Sequence, residues 1–259
     1  MKGLIYVFIL LSSSVFSQDR IEPVFLKKTD LNVEKLVGID NFEAIYYIQN
    51  NVFHKSSPTK PLTYNNFKLG ELSSANIFNP LKINLYYRDL NVVVILDNRL
   101  AEVFLINFND LDIYRNVTQV STGYDNTLWL FNQDTQELEL YDYKTRSSRV
   151  KTLPVQDEVL DLKSNYNTCW LLTRTHLYVY NYFGSLLHKF EHPGFNNISE
   201  YNGNLVLEKE NHLYFMKKNS GLFLPLEIKN LLITHFFVTN ETLYIYDSKF
   251  LYEYQLKTN

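Results

Sequence analysis

The stretch Thr127–Tyr143, TLWLFNQDTQELELYDY, decides the fold. It holds an apolar-aromatic run, a polar turn, and a second run in which Leu138 and Leu140 alternate with Glu137 and Glu139. Alternation with a period of two marks a half-buried strand, and a polar turn between two such runs makes a hairpin. The same order returns at Thr168–Tyr182 (TCWLLTRTHLYVYNY), Asn204–Lys218 (NLVLEKENHLYFMKK) and Thr242–Leu256 (TLYIYDSKFLYEYQL). Looser copies lie at Asn91–Phe108 and Ala44–Ser56. Turn-forming residues precede the copies: Asp40-Asn41, Arg88-Asp89, Asp125-Asn126, Asn165-Tyr166-Asn167, Asn202-Gly203 and Asn240-Glu241.

The last four copies recur every 36–41 residues, the length of a four-stranded propeller blade. Around the best copy the strands are predicted at Val117–Gly123, Thr127–Asn132, Glu137–Asp142 and Ser148–Leu153. Such a meander cannot bury both faces of its own sheet, and radial stacking on neighbours solves that problem. The predicted fold is therefore all-β: a β-propeller of six four-stranded blades, or seven if the 56–80 stretch hides a degenerate unit. A β-sandwich or two small β domains is the alternative. Pro58, Pro61, Gly70 and Pro80 in that stretch predict an inserted loop. The sixth unit runs out of chain before a fourth strand. A lone apolar segment, Ile21–Lys27 (IEPVFLK), is expected to pair with it and close the ring, removing exposed sheet edges.

Residues 1–17, MKGLIYVFILLSSSVFS, have the order of a secretory leader. Lys2 is the charged start, Leu4–Leu11 the apolar run, and Val15 and Ser17 the small residues before a cut after Ser17. The apolar run is shorter than the roughly 20 residues a membrane helix needs. No cysteine follows it, so no lipid anchor and no membrane span are expected. The mature chain, 18–259, is read as one propeller placed in the periplasm or outside the cell.

Tyr (20) and Phe (18) are abundant and suit pleated sheets. Without the leader, 24 Lys and Arg stand against 28 Asp and Glu. A net charge of −4 argues against a nucleic-acid partner, which attracts a basic field. Cys169 is the only cysteine and sits in the apolar run TCWLL, so it reads as a buried hydrophobe rather than a reactive thiol.

The hairpins resemble those of secreted bacterial β-propeller-like proteins of the Gram-negative envelope. The resemblance covers residues 36–256 and lies in the repeat pattern. The WD dipeptide and the double glycines of kelch repeats are absent. The propeller subunit of the outer-membrane barrel-assembly machinery is similar in general plan, but that family carries a lipid anchor. No residue is carried over from it.

No G-x-S-x-G elbow, P-loop, dinucleotide fingerprint or H-E-x-x-H is present. No catalytic residue, metal site or cofactor is assigned. His188 and His192 flank Glu191, but on a strand they stand about 13 Å apart, too far for one zinc. Asp110 with Asp112, or Glu137 with Glu139, would share a strand face as carboxylate pairs. Three N-x-S/T sites start at Asn116, Asn197 and Asn240. Tyr64, Phe67, Leu69 and Phe78 give the 56–80 stretch the apolar content of an interaction loop. Asp157, Glu158 and Asp161 lead into an inner strand and are candidates for the channel mouth. The function expected is a non-enzymatic exported scaffold with an envelope or secreted protein partner. The alternative is a carbohydrate-binding or carbohydrate-active propeller using Trp129, Trp170 and Asp125.

Overall fold

The computed structural model describes residues 21–58, 60–228 and 231–256, so the expected leader lies outside the described residues. Strand β1 (Val24–Asp30) comes first. Blade I is β2 (Lys35–Ile39), β3 (Ile45–Gln49), β4 (Val52–Ser56) and β5 (Leu62–Tyr64). Blade II is β6 (Ser74–Asn76), β7 (Ile83–Tyr87), β8 (Val92–Leu96) and β9 (Glu102–Asn107). Blade III is β10 (Val117–Thr122), β11 (Thr127–Asn132), β12 (Glu137–Asp142) and β13 (Ser147–Lys151). Blade IV is β14 (Val159–Ser164), β15 (Thr168–Thr173), β16 (His176–Asn181) and β17 (Leu186–Glu191). Blade V is β18 (Asn197–Tyr201), β19 (Asn204–Lys209), β20 (His212–Met216) and β21 (Leu224–Pro225). Blade VI is β22 (His235–Thr239), β23 (Thr242–Tyr246) and β24 (Phe250–Gln255), with β1 as its outer strand. The six antiparallel blades form a ring, a six-bladed β-propeller.

Ring closure follows the expectation, with the strand a few residues further on. β1 pairs antiparallel with β24 from Val24 opposite Gln255 to Asp30 opposite Phe250, across one bulge. Lys27 reaches Glu253 at 3.1 Å. Ile21 makes a separate bridge to Leu226 in blade V.

The 56–80 stretch is not an insertion. It supplies β5, the outer strand of blade I, and β6, the inner strand of blade II. The second strands start at Ile45, Ile83, Thr127, Thr168, Asn204 and Thr242, spaced 38, 44, 41, 36 and 38 residues apart. The extra length seen in the sequence came from aligning Asn91–Phe108 with the central hairpins, whereas it is the outer hairpin β8–β9 of its blade. The reason is burial. Every residue of β7 and β8 is buried, so the true central hairpin shows no polar alternation.

Each core cluster lies between two blades. Leu85, Val92, Val94 and Leu96 pack with Tyr46, Ile48 and Phe53 of blade I. Their strand neighbours Tyr86, Val93 and Ile95 point the other way, onto Leu128, Leu130 and Tyr141 of blade III. The same arrangement continues through blades III–IV, IV–V, V–VI and VI–I. Period-two geometry thus turns each sheet into a wall with two apolar faces.

Inner strands line the axial channel, where packing is replaced by a hoop of hydrogen bonds. Lys35 Nζ donates to Ser73 O at 2.5 Å, joining blades I and II. Asn76 Nδ2 donates to Ser121 Oγ at 3.2 Å, and Ser164 Oγ to Ser121 Oγ at 2.7 Å. Asp161 Oδ2 accepts from Ile198 N at 3.0 Å, Ser199 Oγ from Val238 N at 3.0 Å, and Thr239 Oγ1 donates to Ile39 O at 3.2 Å. An inner strand has one unpaired ladder edge, and these side chains satisfy groups along it.

Candidate functional site

An antiparallel meander sorts its loops by end. Turns between second and third strands, and the connections between blades, lie at one end of the ring, here the connection end. Turns between first and second, and third and fourth, strands lie at the other, the turn end.

At the connection end a polar cleft of about 440 Å³ opens beside blade III. Arg88 comes from the β7–β8 turn, Thr118 and Gln119 from β10, and Gln133 and Gln136 from the β11–β12 turn. Gln156, Asp157 and Glu158 come from the connection into blade IV, and Val159 opens β14. Asp157 and Glu158 therefore line this cleft together. Asp161 lies deeper, on β14, where Lys163 Nζ donates to it at 2.9 Å.

Asp157 is tied down. It accepts from Thr173 Oγ1 at 2.7 Å, Thr175 Oγ1 at 2.5 Å and Thr175 N at 3.1 Å. Burial works against its charge, but the bonds from Thr175 and Thr173 outweigh that and hold the carboxyl below the usual range. Glu158 is exposed and faces Arg174 at 3.6 Å. Within the channel, burial lowers the His235 pKa to about 4, and the nearby Lys163 and Lys35 charges act in the same direction. Its ring is neutral at physiological pH.

The turn end carries aromatic side chains. Phe78, in the β6–β7 turn, meets Tyr166, in the β14–β15 turn, edge to face at 5.1 Å. Blades II and IV are not ring neighbours, so this contact spans the end of the ring as a chord past blade III. Tyr124 meets Tyr182 at 5.6 Å, and Tyr182 meets Phe183 at 3.9 Å. Phe183 is 64% exposed and Leu81 65%. Lys82, Lys144, Arg146 and Arg149 stand among or beside them. Arg149 is held by Asp142 at 2.5 Å, with Asp125 at 3.9 Å.

The four aromatic and apolar candidates do not converge. Tyr64 packs against the blade I–II core and donates to Glu102 Oε2 at 2.8 Å. Leu69 packs against the same core. Phe67 is exposed in the connection to blade II, while Phe78 is at the opposite end. β6 runs from one end to the other between them. Trp129 and Trp170 are 1% and 3% exposed in inter-blade cores, so neither is available to a sugar; Asp125 is exposed at the turn end.

His188 stacks on Phe190. His192 receives Gly194 N and Phe195 N on Nδ1 and bonds Thr173 O through Nε2, which makes it a turn-holding residue. Among the described residues no three His, Cys, Asp or Glu side chains form a metal site. Cys169 is buried, and burial lifts its thiol pKa well above the usual value. Sequence reasoning missed the cleft glutamines, which come from separate connections and form no motif.

The fold and this pair of ends define a six-bladed propeller with a polar cleft at one end and an aromatic cluster at the other. No family model matches the chain, and no curated protein sequence matches it. Among solved structures it is similar to a streptogramin B lyase, with a TM-score of 0.64, 12% identity, and 91% of this chain and 89% of that chain covered. It is also similar to an inactive histidine-to-alanine variant of virginiamycin B lyase from Staphylococcus aureus with quinupristin, at TM-score 0.61 and 10% identity, covering 89% of this chain and 99% of that one. BamB from Moraxella catarrhalis aligns at TM-score 0.51 and 12% identity, over 84% of this chain and 70% of that one. Identities this low show the fold alone. No helix among the described residues is long and apolar enough to cross a membrane.

Proposed function

We propose that this chain is an exported propeller scaffold that binds a protein partner through the turn end of blades II–IV, in the periplasm or outside the cell. The observation that carries this reading is the aromatic surface of Phe78, Tyr124, Tyr166, Tyr182 and Phe183, which blades II, III and IV assemble at one end. Exposed apolar area with a polar rim is characteristic of protein contact sites, and aromatic side chains dominate their energetics. Lys82, Lys144 and Arg146 outnumber the exposed Asp125 at the rim, so the partner is a protein segment with apolar side chains flanked by acidic ones. The reading needs no catalytic group. The leader at 1–17 supports export.

Cross-linking in intact cells of the native host, followed by capture and mass spectrometry, tests it. One partner is expected, linked through Lys82 or Lys144, and lost in the double variant Phe78→Ser/Phe183→Ser. A Phe67→Ser variant, altered at the other end, should retain it. Links that map only to the connection end, or a partner that survives the double variant, would overturn the reading. The mature mass should begin at Gln18; a retained leader would refute the cleavage.

A further inference from the structure

The cleft at the connection end lies opposite the aromatic surface and is not explained by it. Its size, about 440 Å³, falls in the range of roughly 300–1,000 Å³ typical of small-ligand sites. Its chemistry is narrow. Gln119, Gln133, Gln136 and Gln156 bring four carboxamides to one opening. Among the described residues the side chains of Gln133, Gln136 and Gln156 show no hydrogen bond to the protein, whereas Gln119 Nε2 donates to Leu160 O at 3.0 Å. The Thr118 hydroxyl, on the wall of the same cleft, is buried with no partner. Its oxygen is sealed from the opening, so the polar groups a ligand would meet are the carboxamides.

Elimination identifies the ligand class. A metal ion would need several free carboxylates, but Asp157 is occupied by Thr173 and Thr175, leaving Glu158. An anion would need convergent cations, and Arg88 stands alone among the lining residues. An apolar ligand would need apolar walls, and only Val159 offers one. What remains is a neutral ligand rich in groups that both donate and accept. A carboxamide carries both functions in one plane, as each hydroxyl of a sugar does. We propose that this cleft binds a neutral saccharide of one or two rings. With no aromatic ring among the lining residues to stack on, the sugar stands edge-on, held by Gln133, Gln136 and Gln156.

The mature chain is titrated by calorimetry with a fixed panel: maltose, cellobiose, lactose, xylobiose and chitobiose, each up to millimolar concentration. At least one is expected to bind, and Gln133→Ala/Gln156→Ala should weaken it about tenfold or more. Both residues are exposed, so the fold is unaffected. Thr118→Val supplies the control. It deletes a hydroxyl sealed beneath the cleft wall, so the protein should melt no lower than the parent and sugar affinity should hold. Overturning results are an absence of binding across the panel, binding indifferent to the glutamine substitutions, or peptide binding at the cleft in place of sugar. Loss of the Phe78/Phe183 partner would leave this result untouched, because that surface is at the other end.

Discussion

Glu139 is fully buried and charged, and its neighbours explain how. Arg115 Nε donates to Oε2 at 2.9 Å, Asn132 Nδ2 to Oε1 at 3.2 Å, and Ser148 Oγ to Oε2. Burial alone would raise the carboxyl pKa. The bonds from Ser148, Arg115 and Asn132, with the Arg115 charge, win and hold it below its usual value. A depressed acid stabilises the fold above its unfolded pKa of about 4.3. That stabilisation is lost as pH falls from there through the native value. Urea melts across pH 3–7 should therefore show a low-pH loss that is smaller in a Glu139→Gln variant. Arg115→Met should cost about 3–5 kcal/mol by stranding a buried carboxylate, and the double variant Arg115→Met/Glu139→Met should recover most of it. A double variant as weak as the single would show that the residues matter through shape rather than charge. Glu137 and Glu139 both approach Lys151, at 3.6 and 3.5 Å.

β1 is exposed along its whole length, so little apolar burial holds it. Its contribution is the ladder to β24 and the cation of Lys28, whose Nζ lies 3.4 Å from the Phe250 ring centroid. Deleting residues 18–28 removes most of the strand and leaves β24 with an open edge. Cooperative thermal unfolding should be lost; a deletion variant that melts like the parent would show that closure does not depend on β1. Strands were legible in the sequence in proportion to their asymmetry. β12, with Glu137 and Glu139 between leucines, announced itself, as did the Asn202-Gly203 turn, where Gly203 adopts φ 85°. β7 and β8 hid because both their faces are buried. β6 and β21 are three and two residues long, too short for any period to show. The functional surfaces were harder still. Phe67 and Phe78 are near neighbours in sequence, yet one intervening strand sends them to opposite ends. The cleft side chains lie on separate connections, where no spacing rule joins them.

No blade owns a private core: each cluster is shared by two neighbours, so a blade that opens exposes two interfaces at once. That coupling runs around the ring and returns across the seam between blades VI and I. The seam has the fewest buried apolar residues, Leu36, Ile39, Tyr246 and Leu251, and compensates with polar contacts. The Tyr246 hydroxyl donates to Val33 O at 2.8 Å and accepts from Val33 N at 3.0 Å, so one side chain satisfies both backbone groups of a residue at the other end of the chain. Tyr246→Phe leaves those groups without it and should cost about 1–3 kcal/mol. At roughly 2–4 °C per kcal/mol for a protein of this size, Tm should fall by several degrees. Because the clusters interlock, calorimetry should still record one transition, with calorimetric and van't Hoff enthalpies in agreement. Two resolved transitions in the parent would instead mean that part of the ring melts on its own. The seam would then be a hinge between separately stable halves, and the two ends of the disc could not be treated as rigid binding faces.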